Sequence, residues 1–296
     1  MILQPGRSHE QRELVADLYR RAVGLPRERT AVIAAGLRGA DIPGALACAG
    51  VDQSRHLTIS IDLILAEMAA RGLIPPVAGL SPLEAADLVH AEAQYLAKRT
   101  GLLALADGRN LIWDITMASP HTADAWLKAL RSAGYTVTAV FADISIDEAV
   151  RRSAASHRRG TEEYLQGWGH GGRYIPPEAI RALAATQATD RPDRVERAVP
   201  AAVTSDAAFP SGPVTEMIAS YRAGHLSLDD LILEFRARRW PIVPSACPPG
   251  LEHARPAIDD PEPYIPGSVD DIDLAYDLGQ LTDTEHQTLT ALATLT

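Results

Sequence analysis

The chain has 296 residues, of which 46% are hydrophobic and 22% charged, and its formal net charge is −10. This composition predicts a soluble globular protein with one large core, or with a core and a smaller second unit. The sequence shows neither a secretion leader nor an apolar run of membrane-spanning length, so we expect a cytoplasmic protein with no membrane partner.

The negative charge is concentrated near the end of the chain. Residues 251–296 hold ten acidic residues against the single Arg255, which leaves the rest of the chain nearly neutral. A nearly neutral body lacks the positive field of a nucleic-acid-binding protein, so we expect no nucleic-acid partner. Cys48 and Cys247 are far apart and lack metal-ligand spacing, which excludes a disulfide framework and a cysteine-based zinc site.

Helical and strand patterns alternate along the first part of the chain. A helical stripe over residues 13–23 comes first, and a capping box with proline at the first helical position predicts a helix over 82–99. Two more helices are predicted over 122–132 and 146–159. Apolar segments of strand length lie between these helical patterns, at residues 31–35, 57–61, 111–113 and 136–142. The alternation predicts an α/β fold in which a mainly parallel sheet is flanked by helices.

The composition changes beyond about residue 187, where proline, alanine and aspartate become frequent. We therefore predict a main domain over residues 1–190, a linker over 191–215 and an acidic, mostly helical C-terminal appendage over 216–296. Within the appendage, YRAGHLSLDD (221–230) recurs in similar form as YDLGQLTDTE (276–285). An internal duplication and two independently similar helix starts explain this recurrence equally well.

The first apolar strand pattern runs directly into the glycine turn Gly36-Leu-Arg38-Gly39-Ala40. Such a turn is typical of a loop that presents backbone N–H groups to phosphates. We therefore predict nucleotide contacts at Gly36, Arg38, Gly39 and Ala40. A buried strand followed by a glycine turn is also ordinary α/β architecture, and this alternative stays open.

The turn lacks the charged and hydroxyl groups of a complete phosphate-binding loop. In the pattern G-x-x-x-x-G-K-[ST], the lysine reaches the β- and γ-phosphates and the hydroxyl binds Mg²⁺. Here Ile42 stands at the lysine position, Pro43 stands where a hydroxyl belongs, and Asp41 adds a negative charge. The only lysines, Lys98 and Lys128, belong to downstream helical patterns. The pattern therefore predicts a degenerate nucleotide loop.

Polar residues come directly after two other predicted strands, at the sheet edge where ligands of parallel α/β folds bind. Asp62 comes after the second strand and is our candidate general base for an acceptor hydroxyl; an N-cap of the next helix is the alternative role. Asp114 and Thr116 come after the third strand and can hold sugar hydroxyls, although capping and turn formation explain them equally well.

An arginine-rich run occupies residues 151–159, and Arg173 lies beyond it in a glycine-rich segment. Guanidinium groups stabilise the charge of a transferring phosphoryl group. We predict that Arg152, Arg158 and Arg173 form a mobile catalytic lid. The choice within the run, which also holds Arg151 and Arg159, stays open, and a solvated helix surface is the alternative.

Six features occur in the order found in the zeta toxin family, which the region from residue 10 to about 185 resembles. They are ISID (59–62), ADLVHAEA (86–93), NLIWDIT (110–116), GYTV with FADIS (134–137 and 141–145), RRSAASHRRG (151–160) and GRYIPPE (172–178). The family comprises ATP-dependent kinases of toxin–antitoxin systems that phosphorylate UDP-amino sugars on a P-loop kinase fold. The resemblance implies that fold, ATP with Mg²⁺ as phosphate donor, and a substrate contact at Glu92. A lone glutamate on an amphipathic helix is otherwise usually solvated.

Other motifs give no metal site. GWGHGG (167–172) matches a dinucleotide-binding pattern but comes after a helical run, and HAE (90–92) lacks the C-x-x-C that would complete a zinc deaminase site. We predict no tightly bound metal, and any Mg²⁺ would arrive with the nucleotide.

These observations support two functions of different class. The first is a zeta-toxin-like kinase acting on a UDP-amino sugar or a similar small molecule, impaired by its nucleotide loop. The second is a pseudokinase that binds a sugar nucleotide or a protein partner without chemistry. An antitoxin-like protein is one expected partner. The acidic tail, residues 251–296, is a second possible partner, because it could dock on the arginine lid and block the site. The alternative is that the tail is a solvated appendage.

Overall fold

The computed structural model describes residues 8–190, 209–210, 212–243, 245 and 247–294. Its centre is a four-stranded parallel sheet with the strand order β2-β3-β1-β4. The strands are β1 (Thr30–Gly36), β2 (Leu57–Ser60), β3 (Leu111–Ile115) and β4 (Thr136–Ala142). The predicted α/β fold is confirmed, and each apolar segment predicted as a strand lies in this sheet, except that Ile61 of the second segment begins a helix.

The strand register brings three carboxyl ends together. The strands β1 and β3 are central, and their nearly continuous apolar sequence fits burial on both faces of a parallel sheet. Asp114 of β3 is paired with Ala34 of β1 on one side and with Ser60 of β2 on the other. The residues directly after these three strands therefore meet at one edge of the sheet.

Eleven α-helices lie in the described ranges. None of them is both long and apolar enough to cross a membrane. They are α1 (Ser8–Arg20), α2 (Ile42–Cys48), α3 (Ile61–Ala70), α4 (His90–Ala106), α5 (Pro120–Ser132), α6 (Ile146–Leu165), α7 (Pro177–Asp190), α8 (Pro213–Arg222), α9 (Leu228–Ala237), α10 (Val269–Asp277) and α11 (Asp283–Thr294).

The helix predicted over residues 82–99 is wrong at its start, because a turn and a short 3-10 helix precede α4. Glu84 does accept hydrogen bonds from the backbone and the hydroxyl of Ser81, at 2.8 and 2.6 Å. The N–H of Leu83, however, donates to the carbonyl of His170 at 3.0 Å. That bond satisfies one of the N–H groups that any helix start leaves without an intrahelical partner. The N–H groups of Ala86 and Leu88 donate to carbonyls three residues back, at 3.4 and 3.1 Å, which is the pattern of a 3-10 helix.

The C-terminal part of the chain shares its hydrophobic cores with the N-terminal part. The largest cluster combines side chains of α1, α3, α4 and the sheet with Tyr264 and Leu274. A second cluster joins α7 to Ala254, Ala257 and Ile258. The division into a domain, a linker and an appendage stays a prediction, and the linker predicted over 191–215 lies largely outside the described residues.

Buried ion pairs also connect α4 to α10. Lys98 Nζ lies 2.7 Å from Asp270 Oδ1, and Arg99 Nε donates to Asp277 Oδ2 at 2.8 Å. Buried charges require such partners because an unpaired one is strongly destabilising. Half of the ten acidic residues of 251–296 are buried, so this part of the chain is not a solvated appendage at those positions. They are Asp259, Asp260, Asp270, Asp271 and Asp273.

The two similar segments, 221–230 and 276–285, adopt the same local structure. Each runs from a helix through a glycine with φ of 73° into a capped helix, and the two helix pairs pack around one apolar cluster. A duplication and two similar helix starts would both give this result, so the question stays open.

Candidate functional site

A cavity of about 550 Å³ lies at the edge where β1, β2 and β3 end. Its wall combines the residues directly after these strands with the end of α6, the loop before α7 and one residue from the C-terminal part. Eight of the eleven predicted site residues line it: Gly36, Arg38, Gly39, Ala40, Asp62, Asp114, Thr116 and Arg173.

The glycine turn after β1 forms one side of the cavity. Gly39 has a φ of 91°, and a Cβ there would lie 2.7 Å from the carbonyl oxygen of Ala149, so only glycine lets the turn pack on α6. The next helix, α2, is capped by Asp41, whose carboxylate accepts the N–H of Gly44 at 3.0 Å. A carboxylate of the chain thus occupies the helix terminus to which a phosphate would bind.

Asp62 lies in the first turn of α3, whose N-cap is Ser60, so the capping alternative for Asp62 does not describe its position. Its carboxylate pairs with Arg38, and Arg173 Nη1 donates to its other oxygen at 3.0 Å. Burial alone would raise the pKa of Asp62, but the two guanidiniums outweigh burial and hold this pKa well below its usual value. Asp62 is therefore ionised at neutral pH.

Arg173 is buried and makes a second set of contacts on the side away from Asp62. Its Nη2 donates to His90 Nδ1 at 3.0 Å and to the carbonyl of Pro256 at 2.8 Å. Burial, followed by the charge of Arg173, lowers the pKa of His90, so this ring is neutral and accepts at Nδ1. The loop before α7, which carries Arg173, can pack this closely because Gly172 lies directly against α6. A Cβ at Gly172 would clash with the carbonyl oxygen of His157.

Sequence reasoning missed Asp259, which lines the cavity from the C-terminal part of the chain. Its Oδ1 accepts a hydrogen bond from Arg173 at 2.9 Å, and its Oδ2 lies 3.3 Å from Arg38 Nη1. The guanidiniums of Arg38 and Arg173 therefore bridge the same two carboxylates, Asp62 and Asp259. The only signal in the sequence was the acidic pair before Pro261, inside a region already rich in acids.

The neighbouring Asp260 holds the turn after β3. Its Oδ1 accepts hydrogen bonds from the N–H groups of Thr116 and Met117 and from the Thr116 hydroxyl, at 2.8, 2.7 and 3.1 Å. Its Oδ2 accepts the N–H of Ala118 at 2.5 Å. Met117 has a φ of 52°, and this conformation lets the consecutive N–H groups converge on one carboxylate. Burial raises the pKa of Asp260 to about 6, against the effect of these hydrogen bonds.

Asp114 and Thr116 stand at the end of β3, as the sequence predicted. Burial raises the pKa of Asp114 to about 6, and the negative charges of Asp259 and Asp62 add to this effect. The Thr116 hydroxyl is engaged within the chain, since it donates to Asp260 and accepts the N–H of Asp259 at 3.2 Å. Asp114 is thus the more available of the two groups for a ligand hydroxyl.

Three predicted site residues do not line the cavity. Arg152 donates to Glu148 at 2.6 Å on the exposed side of α6, and Arg158 is exposed. Within the arginine run, it is Arg159 that lines the cavity. Glu92 accepts a hydrogen bond from Gln11 of α1 at 2.9 Å, away from the cavity. Functional roles for these three residues stay predictions.

No group of histidine, cysteine, aspartate or glutamate side chains in the described ranges has the geometry of a metal site. Of the carboxylates that line the cavity, Asp62 and Asp259 pair with arginines.

The comparison with known families gives one match. The family model of the zeta toxin matches residues 63–206. No curated protein matches the chain. The matched region contains Asp114, Thr116 and Arg173, whereas the glycine turn and Asp62 precede it. This match agrees with the resemblance in the sequence, and the region from residue 63 to residue 206 therefore belongs to the zeta toxin family.

Proposed function

We propose that the cavity is a phosphoryl-transfer site of the zeta toxin kind, in which the acceptor side keeps Asp62 and Asp114 and the ATP side is attenuated. The family suggests a P-loop kinase-like phosphotransferase. The observation that carries the proposal is the ionised Asp62 held between Arg38 and Arg173 in the same cavity as Asp114. The substrate that fits this proposal is a UDP-amino sugar or a similar small molecule with hydroxyl and phosphate groups.

On the acceptor side, Asp62 is placed to accept a hydrogen bond from the attacking hydroxyl. Its lowered pKa makes it a weak base, so its main contribution would be to orient that hydroxyl as phosphoryl transfer begins. Asp114 would hold a second hydroxyl of the sugar. Arg173 and Arg159, which also line the cavity, would stabilise charge on the transferring group.

On the ATP side, the groups that normally bind the β- and γ-phosphates are missing. Ile42 and Pro43 replace the lysine and the hydroxyl, and Asp41 places a carboxylate at the start of α2. Loss of one preorganised donor to developing charge typically costs on the order of 10²- to 10³-fold in rate. We therefore propose slow transfer, with Mg²⁺ entering only with the nucleotide.

A second candidate function is a pseudokinase that binds a sugar nucleotide without chemistry. It is favoured by a specific observation: Arg38 and Arg173 each already contact two carboxylates, and Asp41 occupies the helix start. An antitoxin-like protein partner and a cytoplasmic location remain predictions from the sequence.

The experiment is a transfer assay with γ-labelled ATP, Mg²⁺ and UDP-N-acetylglucosamine, together with calorimetric titration of each nucleotide. Slow transfer that Asp62→Asn abolishes supports the phosphotransferase. The double variant Ile42→Lys/Pro43→Ser is expected to tighten ATP binding and increase the rate. Arg236→Gln is the matched control, because this exposed arginine of α9 lies outside the cavity and has no predicted role in the site. If the wild type and the Ile42→Lys/Pro43→Ser variant both bind the sugar nucleotide but neither transfers phosphate, the result would support the pseudokinase instead.

A further inference from the structure

The contact between Asp259 and the two cavity arginines joins parts of the chain that are distant in sequence. Asp259 is 86 residues from Arg173 and 221 from Arg38. The side chain lies in a segment without regular secondary structure, between a 3-10 helix and α10. Its carboxylate therefore reaches the cavity from outside the elements that carry the other site residues.

The backbone on both sides of Asp259 is held firmly. The carbonyl of Ile258 accepts hydrogen bonds from His90 at 2.8 Å and from Gln94 at 3.2 Å, and Asp260 is bound by the turn after β3. The Asp259 N–H donates to Thr116. The segment is thus a fixed wall of the cavity, so a shift of the Asp259 carboxylate away from the arginines would require rotation of its side chain.

The pairing balances the charges of the two arginines with those of two carboxylates. Arg38 and Arg173 supply two positive charges, and Asp62 and Asp259 supply two negative ones within 3.3 Å or less of a guanidinium nitrogen. An anionic ligand that enters finds both guanidiniums already paired. It also meets two carboxylates of its own sign, and like charges at short distance repel each other.

We propose that Asp259 is a specificity-determining residue that occupies the position of a ligand oxyanion between Arg38 and Arg173. A phosphate oxygen binds the two guanidiniums only after the Asp259 carboxylate has turned away. The cavity consequently discriminates against small polyanions. It favours larger ligands whose other contacts offset the free-energy cost of moving the Asp259 carboxylate. The inference uses the proposed function only in taking this cavity as the ligand site.

The test measures binding of inorganic pyrophosphate by calorimetry, without nucleotide or turnover. Asp259→Asn keeps the size of the side chain and removes its charge, so we expect pyrophosphate to bind about tenfold more tightly than to the wild type. Adding Arg38→Gln to this variant is expected to remove the gain, which locates it at the paired arginines. A general loss of structure would weaken binding and not strengthen it.

Glu252→Gln is the matched control. It neutralises an exposed acid of the same C-terminal part of the chain, which accepts a hydrogen bond from the N–H of Gly250 and does not line the cavity. Pyrophosphate affinity is expected to stay at the wild-type value in this variant. An equal gain in both variants would assign the effect to the overall charge of the tail and overturn the proposal.

Unchanged or weaker binding in Asp259→Asn, or no binding to either protein, also overturns it. If Asp259→Asn does not fold, the wild type provides the second measurement. A structure with pyrophosphate bound should show the Asp259 carboxylate turned away from Arg173, and retention of that pair beside the bound anion contradicts the inference. Because no transfer is measured, an inactive enzyme leaves this test intact.

Discussion

Replacement of Asp260 is the sharpest test of how the C-terminal part of the chain builds the site. This carboxylate is 1% exposed and receives hydrogen bonds from three consecutive backbone N–H groups and one hydroxyl. Asp260→Ala removes the acceptor and leaves those donors without a partner. Asp260→Asn keeps one oxygen for Thr116 and Met117 but turns an amide N–H₂ group towards the N–H of Ala118.

The size of the effect depends on the number of donors that lose their partner. A buried donor left unsatisfied costs about 1–3 kcal/mol, so the asparagine variant should lose about 1–2 kcal/mol of unfolding free energy. In the alanine variant three N–H groups lose their acceptor, so the loss of unfolding free energy should be larger. Relief of the buried charge offsets part of this cost, and we expect a loss of about 3–5 kcal/mol.

The measurement is urea unfolding at pH 7.5, above the pKa of about 6 to which burial raises Asp260, so that the wild-type carboxylate is ionised. Glu234→Ala, an exposed acid of α9, is the control and should stay within about 0.5 kcal/mol of the wild type. If the alanine variant also stays within about 1 kcal/mol with an unchanged m-value, the turn after β3 does not depend on Asp260, and the reasoning fails.

Three further substitutions test the packing and the electrostatics. In Gly101→Ala the new Cβ would clash with Trp113 Cζ2, so we expect a loss of about 1–3 kcal/mol in thermal unfolding despite alanine's better helix propensity; an unchanged Tm would contradict this packing. Arg99→Met leaves Asp277 as an unpaired buried charge and should cost about 3–5 kcal/mol, whereas adding Asp277→Leu should recover most of that stability, and a double variant no better than the single one would refute the ion-pair explanation. Burial, with two neighbouring carboxylates, raises the pKa of Asp114 to about 6. The folded protein therefore holds this proton more tightly than the unfolded chain, and stability falls as pH rises from about 4 to 6. Asp114→Asn should gain stability relative to the wild type between those pH values, as urea unfolding at several pH values would show, and a difference independent of pH would reject the assignment.

The sheet and the placement of most site residues could be predicted because they depend on local signals. Apolar runs marked all four strands, and parallel strands place the residues at their carboxyl ends along one edge of the sheet. That rule brought Asp62, Asp114 and the glycine turn together. The predicted start of α4 was wrong, because residues 83–88 form i→i−3 hydrogen bonds, which a local capping signal does not distinguish from those of an α-helix.

The local sequence of this chain determined its strands, its helix caps and the degenerate glycine turn, because propensity and hydrogen bonding over a few residues decide those features. Only the tertiary structure decided the charge state of the cavity. Asp260 lies 144 residues from Thr116, and Asp259 lies 86 from Arg173. Acidic residues in a charged tail look alike in sequence, and only folding selects which carboxylates are buried against the arginines and the backbone N–H groups of the site.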